Sequence, residues 1–377
     1  MGFSSRIFSL RDGIDIYLRS LEKDISQITF YKINSREEIK INAGPDVSIL
    51  LSEFDGIKTL SKCMEALREE PDENDVKELV EFLETLGVIK EERPGRGNRF
   101  SHDRFNRQIN FFDNWIPGRT GEDCQNDIIS KKVAIIGVGS VGGGVAIELV
   151  RAGVKSLTLV DPKVLTPSGI SRHPYFKEKY IGKSKVSALS DYLSEIDPDV
   201  TVECYPDSVF PETDLSSYLK GVDLVVNTAD EPYIGYTSIK IGRYAWSKGV
   251  PMYVAGGFDA HLMSTGDFIV PGVTPCVDCC ASTFSVALKD WKPKYATAKV
   301  SEEVTMSSEK EVNIVPGLAS RSLFASSYAA MEIINYLAGG EGWKISLSQR
   351  GEFLPNSGCF TRFALEKQKG CEICYAE

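Results

Sequence analysis

The sequence predicts an α/β chain in which a mostly parallel sheet follows a small, separate N-terminal domain. Three observations carry this. "KVAIIGVG" and "SLTLVD" are continuous apolar runs of the kind buried on both faces in parallel sheets, and an apolar helical pattern from about Gly142 to Gly153 separates them, which makes a strand–helix–strand unit. The first 92 residues instead mix short β-branched and aromatic runs with amphipathic helices. Between the two patterns "ERPGRGNRF" reads as a Pro/Gly/Arg linker. The expected layout is a domain over residues 1–92, a linker over 93–103 and a Rossmann-like domain over 104–377.

Taken in order, "ITFYKI" and "EIKINA" predict a hairpin around the polar turn "NSRE". "KTLSKCMEAL" reads as a short helix. In "DENDVKELVEFLETLGVIKEE" Val76, Leu79, Val80 and Leu83 share one face, acidic residues open the helix, Gly87 closes it, and a short strand follows. Strands, two helices and a terminal strand suggest a winged-helix-like module, but its acidic helix speaks against nucleic acid. Beyond the linker, "VTVECY", "DLVVNTAD", "PMYVAGGF" and "STGDFIV" supply further strands. Residues 287–312 are polar and weakly periodic and predict a mobile loop. "RSLFASSYAAMEIINYLAG" predicts a helix capped by Gly339.

Composition narrows the function. At 42% hydrophobic and 25% charged residues the chain is an ordinary globular protein, and a net charge of -10 argues against a general polyanion binder. The N-terminus lacks a secretory pattern, no apolar run reaches the roughly 18 residues of a membrane span, and nine cysteines then point to a reducing, cytoplasmic setting.

The chemistry starts at "GVGSVG", a G-x-G-x-x-G turn at Gly137, Gly139 and Gly142 that includes Ser140. Glycines there let the backbone approach a phosphate that faces a helix N-terminus. Asp161 ends the next strand, where a carboxylate accepts hydrogen bonds from ribose hydroxyls. Both features suit NAD as well as ATP. The following residues discriminate: "DPKVLTPSGISRHPYFKEKYIGKSK" places Arg172, Lys183 and Lys185 just downstream. A neutral nicotinamide has little use for three cations, whereas a triphosphate gains negative charge on its leaving group. Asp230, closing "DLVVNTAD", adds a carboxylate suited to Mg²⁺.

These motifs resemble the ubiquitin-activating-enzyme-like adenylyltransferases, the ThiF superfamily. The resemblance rests on "RFNRQ" (Arg104 to Gln108), "GVGSVG", "SGISRH" (Ser168 to His173), "GKSK" (Gly182 to Lys185) and "TAD" (Thr228 to Asp230), and runs from about residue 103 to the C-terminus. It implies that Asp161 binds ribose, that Arg172 and Lys185 bind phosphates, that Ser171 and His173 lie in the nucleotide motif, and that Asp230 supports Mg²⁺. It implies a homodimer in which Arg107 reaches the partner's site. Two positions depart from the family: Gly169 stands for its asparagine and His173 for its glutamine, which puts the phosphate geometry in question. The N-terminal module and "YVAGGFDAHLMSTGDFIVPGVTPCVDC" are similar to the peptide-modifying members, of the microcin C and pantocin A kind, in which a winged-helix-like element grips a ribosomally made precursor.

"CVDC" (Cys276, Cys279) and "CEIC" (Cys371, Cys374) are two C-x-x-C pairs, and four thiolates suit a closed tetrahedral structural Zn²⁺ site that staples the C-terminal segment to the domain. Cys280 reads as a bystander and Cys359 as a loop or core cysteine, with a nucleophile as its alternative. His102, His173 and His261 form no local metal motif. The expected function is ATP-dependent activation of a carboxylate of a precursor peptide, a glutamate side chain being the candidate, followed by attack of an internal nucleophile. The competing readings are adenylation of a ubiquitin-like sulfur carrier, a non-catalytic peptide-binding scaffold and, more distantly, a dehydrogenase.

Overall fold

The computed structural model describes every residue except 1, 23, 34, 70, 93–103, 117, 231–233, 256–262, 288–317, 340–346 and 375–377. The linker, His102, His261 and most of the 287–312 segment lie outside the described residues, although Ala287 itself closes a helix. The chain forms two compact units: Met1–Asp127 with Ala338–Gly342, and Ile128–Leu337 with Trp343–Glu377.

In the first unit the expected hairpin is present as β3 (Ile25–Lys32) and β4 (Glu37–Ala43), with β2 (Ile14–Glu22) added antiparallel to β3. A second antiparallel sheet has the order β5-β1-β6, from β5 (Asp55–Thr59), β1 (Ile7–Leu10) and β6 (Ile89–Glu92). Helices α1 (Pro45–Glu53), α2 (Leu60–Met64) and α3 (Glu73–Thr85) complete the module. Helix α3 starts at Asp72, whose carboxylate accepts the Asn74 N–H at 2.7 Å, and ends at Gly87 with φ +67°. Val76, Val80 and Leu83 bury its apolar stripe against Phe8, Ile28, Phe30 and Leu60, each such side chain contributing about 1.5–3 kcal/mol.

Helix α4 (Asn106–Trp115) belongs to this unit by its contacts. Buried Arg11 donates from Nε to the Ile89 carbonyl at 3.1 Å and from Nη1 to the Asp113 carbonyl. Asp12 and Asn114 exchange two hydrogen bonds of 3.0 Å. Asp113 accepts the Gly121 N–H at 2.6 Å, at the head of α5 (Gly121–Ser130).

The second unit is built on a six-stranded sheet of order β13-β11-β10-β7-β8-β9, parallel except for β13. Its strands are β7 (Lys132–Ile136), β8 (Ser156–Val160), β9 (Thr201–Tyr205), β10 (Leu224–Asn227), β11 (Met252–Val254) and β13 (Asp267–Ile269). The crossovers include α6 (Ser140–Ala152), α7 (Lys185–Ile196) and α8 (Ile234–Ser247), followed by α9 (Val277–Ala287) and α10 (Ala319–Leu337). Val133 to Ile136 and Leu224 to Val226 are buried, as the continuous apolar runs require. A small antiparallel sheet joins β12 (Met263–Ser264), β14 (Gln349–Leu354) and β15 (Cys359–Ala364). Among the described residues no helix is long and apolar enough to cross a membrane.

Candidate functional site

Strand β7 delivers the chain into the glycine turn, and close packing dictates the turn's residues. Gly137 has φ +86°, and a Cβ on it would lie 2.7 Å from the Ala229 nitrogen. A Cβ on Gly142 would lie 2.0 Å from the Gly137 carbonyl oxygen and 2.6 Å from Thr228 Oγ1. Thr228 closes this contact by donating its hydroxyl to the Gly137 carbonyl. Gly139 differs, because a Cβ there would meet nothing within 4 Å. It is the N-cap of α6 and offers no side-chain cap, so nothing from a side chain competes for the helix's leading N–H groups. A phosphate fits there: its approach is the space a side chain at 139 would fill, and the uncapped helix start favours an anion.

Two further glycines follow. A Cβ at Gly143 would be 2.4 Å from the Tyr175 ring, and one at Gly144 would be 2.4 Å from Ser326 Oγ on α10. Three consecutive glycines cost a helix about 3 kcal/mol relative to alanine, and each here admits a specific neighbour. Tyr175 uses its position to donate its hydroxyl to the Val138 carbonyl at 2.5 Å. The turn is thus held from outside as well as by its own glycines.

Asp161 ends β8 and is buried. Its Oδ2 accepts the Val138 N–H and its Oδ1 the Lys163 N–H, each at 2.9 Å. The carboxylate therefore fixes the turn and keeps a second lone pair on each oxygen for a ribose hydroxyl. At the end of β10, fully buried Asn227 donates to Thr237 Oγ1 (3.1 Å) and Ser238 Oγ (3.0 Å) and accepts the Ala229 N–H at 3.1 Å. This network holds the strand end that carries exposed Asp230.

Lys185 opens α7 and is only 9% exposed. Burial pushes its ammonium below the ordinary lysine range; Asp161 opposes that, Lys163 and Arg172 reinforce it, and Asp230 opposes it again. Four charged groups therefore act on Lys185. Of the three cations expected downstream, Arg172 and Lys185 share this cluster, whereas Lys183 is ion-paired with Asp191. Lys163 takes its place, a residue that sequence reasoning missed because only the fold brings it beside Lys185. Ser140 is buried in the first turn of α6. Ser171 is exposed and donates its hydroxyl to the Ser168 carbonyl at 3.1 Å.

His173 is 7% exposed, and its Nδ1 is buried with no hydrogen-bond partner. Burial, with Lys185 and Arg172 adding repulsion, pushes its pKa down to about 3, so the ring is neutral in the folded chain. A Cβ at Gly169 would be 2.9 Å from the His173 ring and 3.2 Å from Phe176. The two departures from the family pattern are therefore one packing solution, in which the imidazole occupies the space a side chain at 169 would need.

In the first unit, Arg107 is an exposed residue of α4. Its neighbour Gln108 donates to Gln125 at 2.6 Å, so the motif's glutamine bridges α4 and α5.

The cysteines converge as expected. Cys276, Cys279, Cys371 and Cys374 place their sulfur atoms within 4.8 Å of one another, with 3.5 Å between Cys276 and Cys371 and between Cys279 and Cys374. A tetrahedron with Zn–S bonds of about 2.3 Å has edges of about 3.8 Å, so four thiolates in this arrangement fit zinc. The Gln368 N–H donates to Cys279 Sγ at 3.2 Å. Buried Cys280 stays outside the cluster and packs in the core, and Cys359 is exposed at the start of β15.

The fold is shared with known proteins. The chain is similar to the vegetative HesA protein of Trichormus variabilis, 31% identical over 177 residues that span 47% of this chain and 62% of that protein. Structures of Escherichia coli MccB, one with ATP and one with N-formylated MccA, each match at 16% identity and a TM-score of 0.67, covering 97% of this chain and 99% of theirs. PaaA matches at 18% identity and a TM-score of 0.64, covering 95% of this chain and 100% of its own. At these identities the likeness to the solved structures is one of fold. The ThiF family model matches residues 105–372, more than half of the sequence, and the chain belongs to the ThiF family.

Proposed function

We propose that the chain is an enzyme that uses ATP to activate a carboxylate of a ribosomally made precursor peptide as an acyl adenylate, with a glutamate side chain as the candidate carboxylate. The observation that carries this reading is the buried Lys185, on which Asp161, Lys163, Arg172 and Asp230 all act, together with the uncapped start of the helix that follows the turn Asp161 holds. The fold shared with MccB, solved with ATP and with MccA, supports it.

In this reading Asp161 holds the ribose, the leading N–H groups of α6 face the phosphates, and Lys185 and Arg172 stabilise the charge that grows on the departing pyrophosphate. The peptide carboxylate oxygen attacks the α-phosphorus while the bond to pyrophosphate breaks. A nucleophile within the peptide then attacks the acyl carbon, and AMP leaves with the bonding electron pair. Asp230 would hold Mg²⁺, which supplies charge compensation on the phosphates when bound. The four cysteines would hold zinc in a structural role remote from this chemistry. Arg107 serves the site of a partner subunit in a homodimer.

Residues 1 to about 92 are assigned to gripping the precursor. Strand β2 is a sheet edge, and Tyr17 and Leu18 on it are 58% and 61% exposed. An edge can accept an extended peptide as an added strand, with side-chain pockets giving specificity. Tethering then raises the concentration of the reactive segment near the nucleotide to about millimolar.

The test is to incubate the full chain with ATP, Mg²⁺ and short peptides encoded beside its gene, and to follow peptide mass and nucleotide products together. Peptide-dependent AMP formation with a mass change is expected. Product formed only with a ubiquitin-like carrier, or no nucleotide turnover with any peptide or carrier, would contradict the reading.

A further inference from the structure

Asp278 lies inside the chelating turn, between Cys276 and Cys279, where an anion is unwelcome. Zinc with four thiolates carries a net charge of about −2, and a carboxylate on the same turn adds to it. The fold answers with a cation from a different helix. Arg243 of α8 donates from Nε to both Asp278 oxygens at 3.1 Å and from Nη2 to Oδ1 at 2.5 Å. Ionised, as zinc ligands are, Cys276 and Cys371 would draw the guanidinium further. The approach is built in one residue earlier: a Cβ on Gly242 would lie 2.9 Å from Val277 Cβ and 2.9 Å from Met252 Cε. Only glycine at 242 lets the head of α9 sit this close to α8.

The Arg243 side chain is 56% exposed, and an exposed ion pair adds little to folding stability. Its value lies elsewhere. We propose that Arg243 is a positioning residue for the metal: clamped on Asp278, it sets the charge beside the thiolates and holds zinc in the four-cysteine cluster. The proposal rests on the zinc reading. Outer partners of metal ligands typically change affinity by about 10–100-fold, which sets the scale expected here.

The experiment compares the wild-type chain with Arg243→Gln and Arg243→Lys. Zinc content is measured first, then the rate of zinc transfer to a chromogenic chelator, then thermal unfolding of the metal-free chains. Arg243→Gln should release zinc about tenfold faster or more, Arg243→Lys should stay near wild type, and the metal-free melts should coincide. Equal release from wild type and Arg243→Gln overturns the proposal. So does equally fast release from both variants, since charge would then not be the operative property. A wild-type chain that holds no zinc overturns the zinc reading itself, a distinguishable result.

Discussion

At the glycine turn a single methyl group is enough to break the geometry, since a Cβ on Gly142 would lie 2.0 Å from a backbone oxygen. On strand β2 of the N-terminal unit, Tyr17 and Leu18 are more than half exposed, and no packing within that unit fixes their identity. The first region is constrained by its own close approaches, and the second is left free by its packing. The difference explains why one reads as a motif and the other escapes notice in the sequence.

The largest expected effect belongs to the constrained region. Lys185→Ala removes a buried, preorganised cation and should lower turnover by 100-fold or more, about 3–4 kcal/mol, with Arg172→Ala acting in the same direction. Wild-type rates in both variants would remove the phosphates from this cluster.

Two alanines sharpen the same point. Gly142→Ala should destabilise the fold by about 3 kcal/mol, read as a lower melting temperature, because the methyl meets backbone. Gly139→Ala should leave the melting temperature unchanged and weaken ATP binding, because its methyl enters only the space beside the turn. If both variants lose stability equally, the turn is a structural device and no phosphate cradle.

A smaller effect tests the other side of the comparison. Tyr17→Asp with Leu18→Asp should weaken precursor-peptide binding about tenfold, or about 1.4 kcal/mol, while ATP affinity stays constant. Unchanged peptide affinity would take this strand out of recognition.

The effect that is smallest near neutral pH is a pH dependence, which grows as the solution is acidified. His173 is depressed to about 3 in the folded chain, so its stabilising contribution is complete above the unfolded value near 6.5 and is lost as pH falls toward 3. Between those limits the wild type should lose about 1.4 kcal/mol per pH unit relative to His173→Gln. Parallel stability curves for the two chains in acid would contradict the buried neutral ring.

How much of this was legible follows from the same contrast. Gly137, Gly142 and Asp161 are readable because their demands are local: a tight turn, a helix start and a strand end within one strand–helix–strand unit. The two C-x-x-C pairs are readable because each chelates from one turn. The sulfur geometry then joins segments far apart in sequence. Gly143 and Tyr175 were not readable as partners, since the ring that needs the glycine comes from another loop. The coupling of Gly169 with His173 was equally hidden, because in sequence they are two separate departures from a pattern. Lys163 replaces Lys183 in the charge cluster only once α7 has turned Lys185 inward and Asp191 has taken Lys183. Strands β1 and β5 escaped notice because, at four and five residues, they are short, and nine-residue β2 and helix α1 because they gain their order from a core shared with other elements.

The central claim is that the glycine turn serves a triphosphate and not a nicotinamide. Calorimetric titration of the full chain with a non-hydrolysable ATP analogue and, separately, with NAD tests it most directly. The account predicts saturable binding of the analogue in the presence of Mg²⁺ and no heat from NAD. Saturable NAD binding, with no binding of the ATP analogue, would contradict it.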